Sequence, residues 1–360
     1  GFSDKIISDF GGSDTLDFSG VYSSTIADEG VTLNLALDAG QRQLVRSDGT
    51  VALSGTFENL VGSAFNDKFT GNEVDNYIAG LSGDDLLFAG DGSDDTLDGG
   101  SGNDSIAGSD GNDLIFGGEG QDTLEAGSGQ QSISGGDGND LIIGGLGGDD
   151  SIEGGSGHDS IVASNGNDLI FGGEGNDTIQ AGGGDQSISG GDGNDLIFGG
   201  YGSGETIEGG TGDDSILGSD GNDLIFGGDG DDTIESGSGE QSISGGDGND
   251  LIFGGDGGNQ TILGGSGDDS IIGGGGNDLI GGGDGDDTIS GSGGEQTIDG
   301  GSGNDLIFGS ELSDDTLIGG LGDDSIVGSR GNDLVFGGSG DDTLTSGVGA
   351  QTIVGGTGND

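Results

Sequence analysis

The sequence contains no cysteine, proline, methionine or tryptophan, and it sets only five lysine and arginine residues against 68 aspartate and glutamate. Without cysteine there is no disulfide framework, thiolate metal site or haem-attachment motif. Without a basic patch the chain lacks the electrostatic footprint of a nucleic-acid binder. No apolar run approaches the roughly 20 residues of a membrane-spanning helix. Hydrophobic residues make up 28% of the chain, a share at which composition alone describes disorder. With a formal net charge of −63 such a polymer repels itself. Folding therefore calls for a partner of opposite charge that the sequence does not supply, and bound cations meet that need.

What the sequence has in abundance is glycine, 96 residues of it, arranged with a period. The stretch GGDGNDLIF at 190–198 recurs with variations from about Gly62 to the last residue. It divides into a loop, GGDGND, and a short strand with a central aliphatic residue. Gly190, Gly191 and Gly193 are expected at positive φ, where a side chain would clash, so that carbonyl oxygens turn toward a common point. Asp195 adds a carboxylate to them. Oxygen ligands without nitrogen or sulfur are the chemistry of a hard cation, Ca²⁺ above all outside cells.

Residues 1–61 differ. KIISDF, DTLDFSG, VTLNLAL and TVALSG alternate apolar and polar residues with the period of half-buried strands. Lys5, Arg42, Arg46 and Lys68, four of the five basic residues, fall in or just after this segment. It is expected to form an irregular β cap over the first coil of a solenoid. Degenerate repeats fill 62–88. From Ala89 a longer period appears, because units with one extra residue begin at Ala89, Gly144, Gly199, Gly254 and Gly309, equally spaced along the chain. Each super-repeat holds five nonads and one such decad, a pattern of internal duplication.

One aliphatic residue per nonad makes a thin core, and strands so short must stack on neighbours. The parity of the loops indicates how. The sixth position of alternate loops reads Asp67, Asp85, Asp104, Asp122, Asp140, Asp159, Asp177, Asp195, Asp214, Asp232, Asp250, Asp269, Asp287, Asp305, Asp324, Asp342 and Asp360, without exception. In the other loops aspartate (Asp95, Asp113, Asp150, Asp168, Asp223, Asp278, Asp315, Asp333) is interspersed with Asn76, Glu205, Gln260, Gln131, Gln186, Gln241, Gln296 and Gln351. The opening Gly-Gly doublet follows the same parity. A three-sided helix would mix the two populations in every column, so two nonads per coil are expected, with a first edge all aspartate and a second edge mixed.

A carboxylate from one loop and carbonyls from the next could enclose an ion between coils. This makes the aspartates of both edges candidate ligands, together with Gly190, Gly191 and Gly193. Glutamine offers only a neutral amide oxygen. Its loops are expected either to hold a weaker ion or to close by hydrogen bonds to neighbouring carbonyls.

Units such as GGSGNDSIA, GGEGNDTIQ and GGDGNDLIF match the pattern GGxGxDxUx position by position, where U is aliphatic. The chain thus resembles the RTX (repeats-in-toxin) calcium-binding nonapeptide family over about five-sixths of its length. The resemblance implies an all-β, right-handed parallel β-roll, type I secretion in an unfolded state, and folding on meeting extracellular Ca²⁺. It implies no single activity. A segment of a secreted surface protein (adhesin, fibril or surface layer) is the leading expectation; the alternative is the secretion and folding module of an RTX exoenzyme or cytolysin. The chain begins Gly1-Phe2 and ends inside a repeat, as a segment of something longer would. Charge alone also predicts ion-coupled folding, since stacked carboxylates and a glycine-rich backbone favour expansion when ions are removed.

No catalytic site is expected. His158 is the single histidine and sits at a variable loop position, so no nucleophile–base arrangement can be assembled around it. Paired acids of the GDDTI type repeat along the array rather than flank a pocket. GxGxxG-like strings abound, but none opens a helix after a strand. Leu and Phe flank the core Ile in every third nonad, as at Leu196 and Phe198, and are expected to form outward apolar patches suited to lateral self-association or to another surface protein.

Overall fold

The computed structural model describes residues 5–8, 13–19, 30–35, 42–46, 49–54, 57–92 and 94–360. Parts of the four alternating stretches at the N-terminus, such as residues 9–10, 20, 36–37 and 55, fall outside these. Two compact units, Gly1–Glu174 and Gly175–Asp360, are built on one plan. Among the described residues there are strands and turns and no helix.

In each unit, six-residue strands form one parallel ladder and three-residue strands form another. Ser187–Asp192, Thr206–Thr211 and Leu224–Asp229 are successive rungs of the long ladder; Leu196–Phe198, Ser215–Leu217 and Thr233–Glu235 are successive rungs of the short one. Register proves two repeat units per coil. Ile115 lies opposite Ile133, two nonads further along the chain, and Ile133 lies opposite Ile152, where one of the two intervening units is a decad. The fold is a parallel β-solenoid of the β-roll kind.

The core follows from the period. In each strand the central aliphatic side chain points inward and its neighbours outward, so that Ile197, Ile207, Ile225 and Ile234 are fully buried. Each contributes about 1.5–3 kcal/mol by leaving water, and none could do so without the coil above and below. The flanking Leu196, Leu224, Phe226 and Leu251 point outward and stay more than a third exposed, as their positions beside the core Ile require. In the decads the extra residue leaves the ladder, and Leu146 and Tyr201 project with 84% and 88% exposure.

At the N-terminus, Thr15–Asp17 pairs with Asn59–Val61 and Thr32–Asn34 with Lys68–Thr70, all parallel, so these strands continue the two ladders. A separate three-stranded sheet sets Gly49–Ser54 between Lys5–Ser8, parallel, and Arg42–Arg46, antiparallel. Lys68 lies over the Phe88 ring at 5.7 Å, a cation–π contact.

Candidate metal sites along the two edges

The two edges are the two places where the chain passes between ladders. Loops of the first edge follow a long strand, and its Gly-Gly doublet stays in the ladder: Gly191 pairs with Gly210, and Gly210 with Gly228. Loops of the second edge follow a short strand that ends before the loop begins. Every aspartate proposed as a ligand, on either edge, is buried except Asp360 in the last loop, which is exposed.

On the first edge one oxygen of the carboxylate builds the stack. Oδ1 accepts the backbone N–H of the equivalent aspartate one coil earlier, as from Asp104 to Asp122 (2.7 Å), Asp177 to Asp195 (2.8 Å), Asp195 to Asp214 (2.7 Å) and Asp214 to Asp232 (2.8 Å). The other oxygen, Oδ2, is buried and has no hydrogen-bond donor at Asp85, Asp104, Asp122, Asp140, Asp195, Asp214, Asp232, Asp250, Asp269, Asp287, Asp305, Asp324 and Asp342. A second ladder lies outside the first and runs the other way: Asp213 N–H donates back to Asn194 Oδ1 at 3.1 Å, and Asp231 N–H to Asp213 Oδ1 at 3.0 Å. Each loop is thereby fastened to the coil before and the coil after it.

The three glycines singled out in the sequence have different reasons for being glycine. Gly191 and Gly193 have φ of +116° and +129°, as expected. Gly190 is not at positive φ. It must be glycine because a Cβ there would overlap Asp195 Oδ2 and come within 2.5 Å of the Gly209 carbonyl oxygen. The same space is crowded by the carboxylate and a carbonyl of the next coil at Gly209, Gly227, Gly245, Gly264, Gly282 and Gly300. Carboxylate oxygen and carbonyl oxygen thus converge without a hydrogen between them.

Burial leaves its mark on these acids. Loss of hydration pushes the Asp195 carboxyl up to about 6, Asp214 and Asp232 up to about 7, and Asp85 up to about 8, against partial relief from the backbone N–H each accepts. Neighbouring carboxylates of the stack add to the rise.

The second edge solves the same problem internally. Ser109 N–H donates to Asp113 Oδ2 at 2.8 Å, Ser310 N–H to Asp315 Oδ2 at 2.9 Å, and the Ser164 hydroxyl to Asp150 Oδ2 at 3.1 Å. These serines were not singled out in the sequence, although the signal was there: a serine follows the opening residue of these units where Gly-Gly opens those of the first edge. Out of the ladder, the second residue of the loop is free to turn its N–H or hydroxyl to the carboxylate. Asp67, on the first edge but in a Gly-Ser unit, behaves the same way, accepting Ser63 N–H at 2.6 Å. Asp278, whose unit opens Gly-Gly, keeps a buried Oδ2 without a donor, and so does Asp333.

Glutamine closes its loops by a third means. Gln241 Oε1 accepts Asp223 N–H at 2.6 Å, in the place of an aspartate Oδ1, while its Nε2 donates to the Gly221 carbonyl at 2.9 Å. Gln131, Gln260, Gln296 and Gln351 donate in the same way to Gly111, Gly239, Gly276 and Gly331. These hydrogen bonds to neighbouring carbonyls are one of the two readings left open for the glutamine loops.

Residues 61–360, in overlapping or adjoining stretches from 61–95 to 345–360, match the RTX calcium-binding nonapeptide repeat. The chain belongs to the RTX calcium-binding nonapeptide repeat family. No curated protein matches it. The RTX repeat of this chain is a structural, calcium-binding one, and its residues fit the ion. The first-edge donors are all oxygen, the set a hard cation takes, and a row of buried carboxylate oxygens lacks any donor. Among the described residues no three His, Cys, Asp or Glu side chains converge on one point. Backbone carbonyls would therefore have to complete any coordination shell. Also among the described residues, no helix is long and apolar enough to cross a membrane.

Proposed function

We propose that this chain is an extracellular structural segment of a secreted surface protein, and that it folds by taking up a column of Ca²⁺ ions along its first edge. The observation that carries the reading is the set of donorless, buried Oδ2 atoms just named, Asp195 and Asp214 among them, each beside a glycine carbonyl. An ion between coils supplies the positive charge that the five basic residues cannot. Asp104, Asp122, Asp140, Asp159, Asp177, Asp195 and their successors to Asp342 would hold it by carboxylate, and the glycines around them by carbonyl. The second edge is assigned fewer and weaker ions: Asp278 and Asp333 are the best placed there, and Asp95, Asp113, Asp150, Asp168, Asp223 and Asp315 follow.

Regularity supports a structural role over an enzymatic one. Duplication of the super-repeat lengthens the array and adds no histidine-centred catalytic arrangement, since His158 is the single histidine. Affinities of about 10⁻⁴ to 10⁻³ M, the range of extracellular modules, would leave the chain expanded inside a cell and folded outside it. The test is circular dichroism with small-angle scattering in chelator and in millimolar Ca²⁺. The expected result is an expanded chain with little β signal in the first and a compact β-rich one in the second. Equal β content in both would sink ion-coupled folding.

A further inference from the structure

The outward side of the short ladder carries a pattern that calcium binding does not require. In the second unit the rungs Leu251–Phe253, Ser270–Ile272, Thr288–Ser290, Leu306–Phe308, Ser325–Val327 and Thr343–Thr345 follow one another in parallel register. The central residue of each faces the core and the two beside it face outward. None of these outward residues is charged, in a chain of net charge −63. The acids of the same coils sit in the loops, as exposed Asp256, Asp268 and Asp286 do. Over the same coils the long ladder turns Asp299 outward.

The uncharged face is also ridged. Leu251, Ile272, Leu306 and Phe308 are each more than a third exposed, among rows of serine and threonine. The bulky row of Leu251 and Phe253 lies three rungs, about 14 Å, from that of Leu306 and Phe308. Between them the rows step down through Ser270 and Ile272 to Thr288 and Ser290. A charged partner finds no opposite charge here. A second copy of the chain has the same period, and its ridges match these gaps. Turned end for end against this face, the copy sets Leu306 and Phe308 over Thr288 and Ser290, Leu251 and Phe253 over Thr343 and Thr345, Ile272 over Val327 and Ser270 over Ser325. Bulky rows meet small ones, aliphatic meets aliphatic and hydroxyl meets hydroxyl, in a self-complementary two-fold contact.

We propose that two copies of this chain pack side by side, end for end, through the charge-free face of the short ladder between Leu251 and Thr345. The pairing rests on the calcium-folded structural role proposed above, since the face exists only in the folded roll. Six rungs about 4.8 Å apart, each three residues of about 3.3 Å, present on the order of 300 Å² per copy. A stable interface takes about 800 Å² per partner. The contact is therefore of the weak, transient class, formed at high protein concentration.

The test is sedimentation equilibrium of the full chain in saturating Ca²⁺, from micromolar to millimolar protein, with circular dichroism on the same samples. The wild-type mass should climb from one chain toward two. Ile272→Glu puts a charge on the face, and the roll accepts it there, because Glu235 holds the same outward position two rungs earlier. Set against the partner copy, it should raise the dissociation constant by about tenfold or more. Leu263→Glu puts the same charge on the outward side of the long ladder, where Glu208 stands three rungs earlier, and should pair as the wild type does. Equal dissociation constants for the two variants, growth beyond two chains, or a β-rich wild type that stays monomeric at every concentration overturns the pairing. A wild type that gains no β content in Ca²⁺ instead brings down ion-coupled folding and the face with it, so the two failures are distinct.

Discussion

The backbone N–H of Asp195 donates to Oδ1 of Asp214 at 2.7 Å, while Oδ2 of the same Asp214 carboxylate, equally buried, receives nothing. One oxygen builds the stack and the other is left for an ion. Substituting asparagine for Asp214 separates these jobs. Asn keeps the Oδ1 acceptor and replaces Oδ2 by an amide that can donate to the Gly227 carbonyl, which crowds the same space. In chelator Asp214→Asn should be more stable than the wild type by about 1–3 kcal/mol, the cost of leaving a buried polar group unmade. In Ca²⁺ the sign reverses, and the calcium midpoint of folding rises. Paired titrations with Ca²⁺ and with urea in chelator would check both halves; a shift of the same sign in each contradicts the division of roles.

Gly190 is the second case. A methyl group at this position must displace the Asp195 carboxylate or the Gly209 carbonyl. Gly190→Ala is therefore expected to lose about 1–3 kcal/mol by overpacking and to raise the calcium midpoint. Gly293 serves as the control, since it is not at positive φ and the nearest atom to a methyl group added there is 3.6 Å away. Gly293→Ala should leave stability within about 1 kcal/mol or raise it, through the smaller entropy of the unfolded chain. Equal effects at the two positions would remove the close approach as the reason for glycine.

Much of this is legible in the sequence, and the limits have physical causes. The nonad period and the single aliphatic residue per unit give the two ladders, because an inward side chain once per nonad allows no other stack once the aspartates and glutamines sort by parity. Parity also separates the two edges. What the letters do not carry is which oxygen does what. Oδ1 and Oδ2 of Asp195 belong to one letter of a sequence, and only the register between successive coils assigns one of them to the N–H of Asp177. Gly190 groups with Gly191 and Gly193 because every glycine looks alike in sequence, whereas a positive φ and a close approach are different demands. The role of Ser109 and Ser310 is hidden for a similar reason: serine beside glycine reads as ordinary loop chemistry until the end of the strand is known.

Acid should partly replace calcium. Burial raises the carboxyls of Asp195 and Asp269 to about 6 and of Asp214, Asp232 and Asp287 to about 7, from an ordinary value of 3.8. Because the folded values are the higher ones, the folded stack binds more protons than the unfolded chain between about pH 4 and 7. Its ion-free stability is therefore greatest below the unfolded value and is lost as pH rises through the folded ones. In chelator, β content measured by circular dichroism should increase on lowering the pH from 8 to 5. In saturating Ca²⁺ it should stay flat over that range. A chelated chain that loses β content on acidification would show that the buried carboxylates are not what holds it open.

Gln241 offers the converse of Asp214. Its side chain accepts from Asp223 N–H and donates to the Gly221 carbonyl, so both amide groups are used and no charge is introduced. Gln241→Ala leaves the buried Asp223 N–H without a partner, at about 1–3 kcal/mol, and frees the half-buried Gly221 carbonyl as well, so it should lower resistance to urea in Ca²⁺ and in chelator alike. Calcium stoichiometry is expected not to change, because hydrogen bonds already use the amide oxygen and nitrogen that would face an ion. Gln241→Glu keeps the shape but turns the donor into a second oxygen facing the Gly221 carbonyl. That chain should be less stable than the wild type in chelator and recover in Ca²⁺ by taking up an additional ion. Metal analysis together with urea titration distinguishes the two variants, and an unchanged ion count in Gln241→Glu would mean that oxygen facing oxygen on this edge is not sufficient to recruit calcium.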